Sequence, residues 1–371
     1  MKIGILTFHA SHNFGSMLQN YALQQFLMAE GHIVETINLR IEKQKYMYNH
    51  PLRIGKSNRS IRAVLGRFKD PKWVYKESKG WFMFERFLKS YIKLTKEYHN
   101  WNEIEKDLPK LKYDAIITGG DQIWNTFCYD FDWSYFLPRD ISPTKKIAYS
   151  PSFGNKIKGT NENKVLSTKI KEYLRNFDAL SIREKDASDF LKALLGKDVP
   201  IVADPTLIVN PDIYLKLIGK PLINEPYIYY YTPSHIPDFE AENIAREIAK
   251  IHHIKIVNSY SRFRSQSGMT ERISGPKEFL NLVKNAQFVL GKSYHLVIFS
   301  IIFHKNFATI KGGNDARINS LLKLVKIGNR NIDQANDFHK LSITNYKIVE
   351  QELDIFRERS INYLRNSLAI F

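Results

Sequence analysis

The sequence contains a single cysteine, Cys128, and no long uninterrupted apolar run. One cysteine cannot form an internal disulfide, so the chain does not belong to the disulfide-rich secreted class. No window approaches the roughly 18 consecutive apolar residues that a membrane-spanning helix requires. The opening residues MKIGILTFHA lack the basic and long apolar regions of a signal peptide. We therefore expect a cytoplasmic protein.

The composition is that of a folded protein with one unusual feature, its charge. Hydrophobic residues make up 43% and charged residues 25% of the chain, which excludes a disordered protein. A length of 371 residues predicts two domains, at about 150 residues per domain. The 55 Lys and Arg against 38 Asp and Glu give a net charge of +17, which predicts attraction to an anionic partner.

Most of this charge lies in one segment, residues 40–96, which we call the basic insertion. It holds sixteen Lys and Arg against four acidic residues and many aromatic residues, without strand and helix alternation before about Lys79. At Trp81–Ile92 the apolar residues keep helical spacing, which predicts an amphipathic helix. A solvated basic face, contact with an anionic bilayer surface and binding of a phosphate-bearing substrate all fit this pattern. No nucleic-acid-binding motif is present, so we expect no nucleic acid partner.

Elsewhere, short apolar runs alternate with segments of helix length. Strands are predicted at 2–7, 32–38, 114–120, 146–150, 179–184 and 199–204, then at 227–232, 254–259, 287–292 and 306–310. The alternation predicts an α/β fold with two Rossmann-like, doubly wound parallel sheets that face each other across a cleft. We predict an N-terminal domain over 1–219, a C-terminal domain over 220–345 and a helix over 346–371 that packs across the domains. Ligands of such sheets bind at loops after the strands, where we look for the site.

Two loops of the N-terminal domain carry sugar-binding residue types. Asn13, Gly15 and Ser16 precede a helix, where free N–H groups would suit an anion or a hydroxyl, although helix capping explains them equally well. The strand at 114–120 ends in two glycines that would let a ligand approach the backbone, and polar and aromatic residues follow. A tight turn with the tryptophan in the core is the alternative. The residues of this loop are Gly119, Gly120, Asp121, Gln122, Trp124 and Asn125.

Charged residues also end the later strands. Arg183 is either paired with a neighbour such as Glu184 or aimed into the cleft, where its guanidinium would suit a carboxylate or phosphate. Asp204 is a candidate base or the cap of the turn that follows it. Arg317 begins a helix after two glycines, at a position suited to an anion or to simple solvation.

In the C-terminal domain, Lys292, Ser293, Tyr294 and His295 lie between a strand end and the start of an apolar helix. An ammonium, two hydroxyls, an imidazole and a helix N-terminus meet there. His295 is therefore a candidate acid that delivers a proton when a phosphate-bearing substrate is bound. The other histidines have no carboxylate or cysteine at ligand spacing, so we expect neither a metal nor a cofactor.

Taken in order, seven segments resemble the polysaccharide pyruvyl transferase family. They are NFGSMLQNYAL, GGDQIWN, AYSPSFG, SIRE, DPT, SYH and RINSLL, and they span about residues 1–330. The resemblance implies a GT-B-like pair of domains and transfer of a pyruvyl group from phosphoenolpyruvate to two sugar hydroxyls as a cyclic ketal. It also implies that Arg183 helps to hold the donor and that His295 is the acid. The chain departs from the family's Arg-Leu-His segment, which lacks an arginine here and has Tyr294 directly before His295, and Lys292 stands where many relatives have aspartate.

Three functions follow as hypotheses. In the first, a pyruvyl transferase, the donor contacts Arg183, Lys292, Ser293, Tyr294 and Arg317, and Asp121 or Asp204 acts as base. Its acceptor is a glycan or a polyprenyl-diphosphate-linked oligosaccharide, with peripheral contact to the inner membrane face. The second is a nucleotide-sugar glycosyltransferase that uses the same cleft. The third is a non-catalytic protein that binds an anionic glycan or lipid surface through the basic insertion.

Overall fold

The structure, a computed structural model, describes residues 1–53, 69–233, 238–259, 268–310, 315–341 and 344–369. These residues form two six-stranded parallel sheets. The strands of the first sheet are β1 (Lys2–Leu6), β2 (Ile33–Leu39), β3 (Leu94–Tyr98), β4 (Ala115–Gly119), β5 (Lys145–Tyr149) and β6 (Ala179–Leu180). The strands of the second are β7 (Tyr227–Tyr231), β8 (Lys255–Ser259), β9 (Thr270–Arg272), β10 (Phe288–Gly291), β11 (Asn306–Ile310) and β12 (Asn331–Ile332).

Both sheets have the Rossmann strand order. The first runs β3-β2-β1-β4-β5-β6 and the second β9-β8-β7-β10-β11-β12, so each has its first and fourth strands side by side at the centre. The predicted fold class, two Rossmann-like doubly wound domains, is therefore confirmed. In the first sheet, successive strands are added outward from β1 in one direction up to β3 and from β4 in the opposite direction. The same switch in strand order lies between β7 and β10 in the second sheet. Ligands of open α/β sheets bind beyond the carboxyl ends of such strand pairs.

Helices cover both faces of the sheets. Those that accompany the first sheet are α1 (Phe14–Ala29), α2 (Glu42–Met47), α3 (Pro71–Tyr91), α4 (Trp101–Leu111), α5 (Ile157–Glu162), α6 (Lys164–Leu174) and α7 (Lys185–Leu195). The short α8 (Asp212–Leu215) lies between the sheets in sequence. The remainder are α9 (Phe239–His252), α10 (Pro276–Asn285), α11 (Tyr294–Ile302), α12 (Ala316–Leu324), α13 (Ala335–His339) and α14 (Tyr346–Ala369). None of the described helices combines the length and apolar character that a bilayer crossing needs.

Helix α1 lies at the junction of the two sheets and is buried along most of its length. Its first residue, Phe14, stacks on Phe279 of α10 with ring centroids 4.7 Å apart and on Phe84 of α3 at 5.4 Å. The Asn13 side chain caps the helix by accepting hydrogen bonds from two backbone N–H groups. The start of α1, which follows β1, is thus held against the C-terminal half of the chain.

Helix α14 crosses from one half of the chain to the other. Near its start, the Tyr346 hydroxyl donates to the Lys305 carbonyl at 2.5 Å, and near its end Arg365 forms a two-point ion pair with Glu30 at 2.7 and 2.9 Å. Between these points, Ser360 Oγ accepts the backbone N–H of Ala203 at 2.8 Å. The helix therefore ties the segment that carries Asp204 to both sheets.

The basic insertion is built into the fold, which corrects its interpretation as a separate local segment. It contributes β3, which extends the first sheet, and α3, which is longer than the predicted helix at Trp81–Ile92. Phe84, Phe87 and Leu88 of α3 enter the main core. Lys72, Lys79, Arg86 and Lys89 are exposed, as an amphipathic helix requires. Residues 54–68 of the insertion lie outside the described residues.

The strand predicted at 199–204 is wrong, because the structure has only a single bridge there, between Ile182 and Ile201. Pro200 and Pro205 have no N–H to donate, so a continuous ladder cannot form across this segment. Asp204 instead begins a short turn and accepts a hydrogen bond from the Thr206 N–H at 2.9 Å. The strands β3, β9 and β12 were not predicted. All three lie at or next to a sheet edge, and β9 and β12 are only three and two residues long.

Candidate active site

A buried chain of three titratable side chains connects the two halves of the molecule. Asp204 Oδ2 lies 3.0 Å from Arg183 Nη2 and 3.3 Å from His295 Nε2. Arg183 and Asp204 follow the end of the first sheet, whereas His295 stands in the first turn of α11, directly after β10. Since all three side chains are almost fully buried, water screens these charges weakly.

The neighbours of Asp204 decide its ionisation. Burial by itself would raise the pKa of Asp204, but the Arg183 guanidinium and the His295 imidazole hold that pKa well below its usual range. The Thr206 N–H and hydroxyl also donate to Asp204 Oδ1, at 2.9 and 2.6 Å. Asp204 is therefore placed as the counter-charge of Arg183 beside the His295 imidazole, an environment that makes it a poor base and argues against its predicted role as one.

The imidazole of His295 packs directly on the backbone at Gly15. A Cβ atom added to Gly15 would lie 2.0 Å from His295 Nδ1, closer than any real contact allows. A glycine is thus needed here for the close approach of a side chain rather than for its backbone angles. With Asp204 beside Nε2 and Gly15 beside Nδ1, the ring plane of His295 is fixed from both sides.

Two guanidinium groups lie against the ring of Tyr294. The Cζ atoms of Arg183 and Arg317 are 5.1 and 5.3 Å from the ring centroid, within the range of cation–π contacts. Arg317 belongs to α12 and also forms a two-point ion pair with Asp315, at 3.0 and 2.7 Å. The segment that lacks the family's arginine is therefore flanked by two arginines that come from other elements.

Arg317 also connects this cluster to the loop after β4. With the Gln122 side-chain amide oriented so that its oxygen faces the guanidinium, it accepts from Arg317 Nη1 at 2.6 Å. The adjacent Asp121 accepts from Ser16 Oγ at 2.5 Å and from the Gln122 N–H at 2.7 Å. The loops after β1 and β4 and the start of α12 thus converge with the buried Arg183–Asp204–His295 chain.

Around the Arg183–Asp204–His295 chain, Arg183 Nη1, Glu184 Oε2 and the Tyr149 hydroxyl are buried with neither a hydrogen bond nor an ion pair among the described residues. Asp204 Oδ2 and His295 Nε2 also lack a hydrogen bond, but they lie within ion-pair distance of each other. Nearly all buried polar groups in proteins are paired, so each such atom calls for an explanation. The three atoms with neither kind of partner are a cationic donor, an acceptor and a neutral hydroxyl. Such a set can bind an anion and a hydroxyl together.

Several predicted residues have structural roles instead. Trp124 is fully buried, stacks on Phe136 with centroids 5.1 Å apart and donates its indole N–H to the Tyr135 carbonyl, so it cannot stack on a sugar. Asn13 occupies the N–H groups of Gly15 and Ser16, which leaves no free cradle there. Ser293 caps α11 in the same way, by accepting from the Leu296 N–H.

The two glycines after β4 and the lysine after β10 also differ from expectation. The space beside Gly119 is taken by the Tyr149 carbonyl and that beside Gly120 by the Gln19 amide, so neither glycine admits a ligand on that side. The Lys292 ammonium forms an ion pair with Asp238. Asn125 accepts the Phe127 N–H at 3.2 Å, so its side-chain oxygen serves the loop.

Sequence reasoning missed a second group of polar residues beside Asp121. Asp130 accepts from Ser11 Oγ at 3.0 Å, and the carboxylates of Asp121 and Asp130 interact with each other and with Cys128 and Tyr48. Burial raises the pKa of Asp130 and raises that of Cys128 to about 12, so this thiol stays protonated. In the sequence, only the position of Ser11 in the loop after β1 indicates this group, because residues 126–132 show neither helical nor strand periodicity. Within the described ranges, no three His, Cys, Asp or Glu side chains are arranged to hold a metal ion.

Comparison with known proteins identifies both the family and the fold. The family model for polysaccharide pyruvyl transferase matches residues 13–314. Among proteins with curated descriptions, none is significantly similar in sequence. UDP-GlcNAc 2-epimerases from Methanocaldococcus jannaschii and Neisseria meningitidis superpose with TM-scores of 0.51 and 0.52 at 14% and 10% identity. These alignments cover 99% and 98% of this chain and all of both epimerases. The UDP complex of Staphylococcus aureus MnaA gives a TM-score of 0.54 at 12% identity, over all of this chain and 97% of MnaA. At such identities the likeness shows a shared GT-B fold.

Proposed function

Because the chain belongs to the polysaccharide pyruvyl transferase family and is therefore a transferase, we propose that it moves a pyruvyl group from phosphoenolpyruvate onto two hydroxyls of a sugar. The product is a cyclic ketal on a cell-surface polysaccharide or on its lipid-linked precursor. The buried Arg183–Asp204–His295 chain, which joins the two halves of the molecule, is the observation that supports this proposal best. In this chain, a cation that can bind an anionic donor lies next to a histidine that can transfer a proton.

The donor is assigned to the space around Arg183 and Tyr294. Arg183 Nη2 is occupied by Asp204 and by the Ser150 carbonyl, whereas Nη1 has no partner among the described residues. That N–H group is suited to the carboxylate or the phosphate of phosphoenolpyruvate. Arg317 adds a second positive charge beside the Tyr294 ring, and Lys292, which pairs with Asp238, is not needed for this role.

His295 is proposed to start the reaction. Its protonated imidazole delivers a proton to C3 of phosphoenolpyruvate, and the electron pair of the C2–C3 double bond forms the new C–H bond. Asp204 balances the positive charge of the imidazolium before this step and orients the ring, so Asp204 acts as a positioning residue. The protonation leaves a cationic centre at C2.

The acceptor is assigned to the loops after β1 and β4. One sugar hydroxyl attacks C2 and loses its proton to a carboxylate, for which Asp121 is the first candidate. The C2–O bond to phosphate then breaks, phosphate leaves with the electron pair, and the second hydroxyl closes the ketal. For a lipid-linked acceptor, the exposed basic residues of α3 would contribute about 1 kcal/mol each near an anionic membrane surface.

The proposal is tested by incubating the enzyme with phosphoenolpyruvate and a panel of nitrophenyl hexosides. We expect release of inorganic phosphate that depends on an acceptor, and an acceptor product whose mass rises by that of pyruvic acid minus water. Parallel reactions replace phosphoenolpyruvate with UDP-hexoses. Glycosylated products from UDP-hexoses, without any pyruvylated product, would support the glycosyltransferase alternative instead. Phosphoenolpyruvate binding without turnover on any acceptor would favour a non-catalytic binding protein.

Replacing Gly15 by alanine should lower turnover by about 10²-fold, because the added methyl group would displace the His295 ring and a shift of 1 Å can cost that much. Alanine favours helices, so the helix itself should not suffer. The measurement is acceptor-dependent phosphate release, together with the thermal midpoint. Gly80→Ala in α3 is the matched control, because its Cβ would meet its neighbour at an ordinary 3.7 Å. Equal turnover in both variants would disprove the role assigned to the close contact.

A further inference from the structure

Glu184 is a buried carboxyl group that the mechanism above does not use. It follows Arg183 and directly precedes α7, but its side chain does not cap that helix. The residue is only 1% exposed. A buried carboxyl without a capping role must be explained by other contacts.

One oxygen of Glu184 is satisfied and the other is not. Oε1 accepts the Phe153 N–H at 2.9 Å and the Ser152 hydroxyl at 3.1 Å. Oε2 is buried and has no hydrogen-bond partner among the described residues. The two bonds at Oε1 fix the orientation of the carboxyl group, so the position of Oε2 is fixed as well.

The surroundings of Glu184 place it at the seam between the two halves. Ser152 Oγ, which donates to Glu184, accepts the Gly154 N–H at 2.9 Å, and the next residue, Asn155, accepts the Ala316 N–H of α12 at 3.1 Å. Glu184 also interacts electrostatically with Arg317 and with Tyr294, both from the C-terminal half. It therefore lies at the same seam as Arg183, whose Nη1 is also unpartnered among the described residues.

The other carboxylates of the cleft are already occupied. Both oxygens of Asp121 accept hydrogen bonds, Asp204 lies between Arg183 and His295, and Asp315 forms a two-point ion pair with Arg317. Asp204 Oδ2 lacks a hydrogen bond but lies within ion-pair distance of Arg183 and His295, so of these four carboxyl groups only Glu184 has an oxygen with neither kind of partner within the described part of the chain. A sugar hydroxyl is the neutral donor that would complete it.

We propose that Glu184 is the second base of the acceptor site and that its Oε2 takes the proton of one of the two hydroxyls that form the ketal. This inference rests on the proposed pyruvyl transfer. Closing a cyclic ketal removes one proton from each hydroxyl. Asp121 and Glu184 each take one of these two protons. In the overall balance, one of them replaces the proton that His295 gave to C3, and the other leaves with the released phosphate.

The charge environment suits a group that gains and loses a proton near neutral pH. Burial raises the pKa of Glu184 to about 7, against the opposing effect of the Arg183 and Arg317 guanidinium groups. Besides these two cations, the titratable group that faces it is the Tyr294 hydroxyl, and the Ser152 hydroxyl also contacts it. A base with a pKa close to the working pH is effective in both directions.

The test is the variant Glu184→Gln, which keeps the shape of the side chain but cannot take up a proton. We expect acceptor-dependent phosphate release to fall roughly 10²- to 10⁴-fold while the KM for phosphoenolpyruvate is unchanged. Glu242→Gln is the matched control, since Glu242 is also buried but pairs with Arg246 at 3.1 Å on α9. Turnover in Glu184→Gln equal to that of the control would overturn the proposal.

A second readout does not depend on activity. A carboxyl whose pKa is raised on folding binds its proton more tightly in the folded state, so the contribution of Glu184 to folding stability is greatest at low pH and is lost as the pH rises from about 4.3 through 7. The thermal midpoint of the wild type should therefore fall more between pH 5 and pH 8 than that of Glu184→Gln. Parallel curves would show that Glu184 is not the proton-binding group described here.

Failure of this inference can be told apart from failure of the proposed function. If the wild type releases no phosphate from phosphoenolpyruvate with any acceptor, the proposed pyruvyl transfer itself is wrong, and the role of Glu184 as its second base falls with it. If the wild type is active and Glu184→Gln matches it, only the role of Glu184 is wrong. If Glu184→Gln binds phosphoenolpyruvate and unfolds like the wild type but does not turn over, the result supports both the pyruvyl transfer and the role of Glu184.

Discussion

Replacing His295 by alanine is expected to reduce phosphate release from phosphoenolpyruvate roughly 10²- to 10⁴-fold, the range that a general acid contributes. The variant removes the only histidine that contacts Asp204 in the described structure. Because Arg183 remains beside Asp204, the buried carboxylate stays paired and the fold should survive. Acceptor-dependent phosphate release at saturating phosphoenolpyruvate is the measurement.

His304→Ala serves as the matched control for that experiment. His304 also follows an apolar helix, but it is half exposed and pairs with Glu350 on α14, away from the cleft. Its variant should turn over at the wild-type rate. Full activity in His295→Ala, with a thermal midpoint like that of the wild type, would remove His295 from the mechanism.

Replacing Asp204 by alanine should be the most destabilising single change in the site. It leaves the buried guanidinium of Arg183 without a counter-charge, and removing one partner of a buried ion pair typically costs about 3–5 kcal/mol. Because the pKa of Asp204 is lowered on folding, the stabilisation is fully present at neutral pH and is lost only as the pH falls below about 4. Urea unfolding at pH 7 measures the loss.

The physical reason for that loss can be tested separately. Removing the unpaired cation as well, in Asp204→Ala with Arg183→Met, should recover part of the stability that the single variant loses. Glu225→Ala, which removes an exposed partner of Lys255, should cause little change. If the Asp204 and Arg183 effects simply add in the double variant, the buried pair is not what stabilises this region.

The architecture was predictable because hydrophobic patterning carries it. Buried parallel strands form short apolar runs in the sequence, and the central strands of both sheets, such as β1 and β7, have this pattern. The hydrophobic pattern does not predict the strands at the sheet edges. Leu94–Tyr98 is a half-exposed strand of mixed residues, and Thr270–Arg272 is too short to carry a period.

Parts of the site were predictable for a different reason. Arg183 and His295 follow strand ends of the two sheets and Asp204 follows the bridge at Ile201, so all three lie beyond the carboxyl ends of the sheets, and the structure places them in contact. What each side chain does depends on its partners, which the sequence does not reveal. Trp124 is a core residue because it packs on Phe136 and donates to the Tyr135 carbonyl. Glu184 differs from the other carboxyl groups of the site because its Oε2 has no hydrogen-bond or ion-pair partner among the described residues.

The most direct test of pyruvyl transfer is a calorimetric titration of phosphoenolpyruvate into the wild type and into Arg183→Lys. Lysine keeps a positive charge beside Asp204 but loses the free Nη1 donor. We expect saturable binding to the wild type and binding about tenfold weaker in the variant, the equivalent of one charge-assisted hydrogen bond. No binding of phosphoenolpyruvate to the wild type, with saturable binding of UDP-GlcNAc in the same experiment, would contradict the proposed pyruvyl transfer.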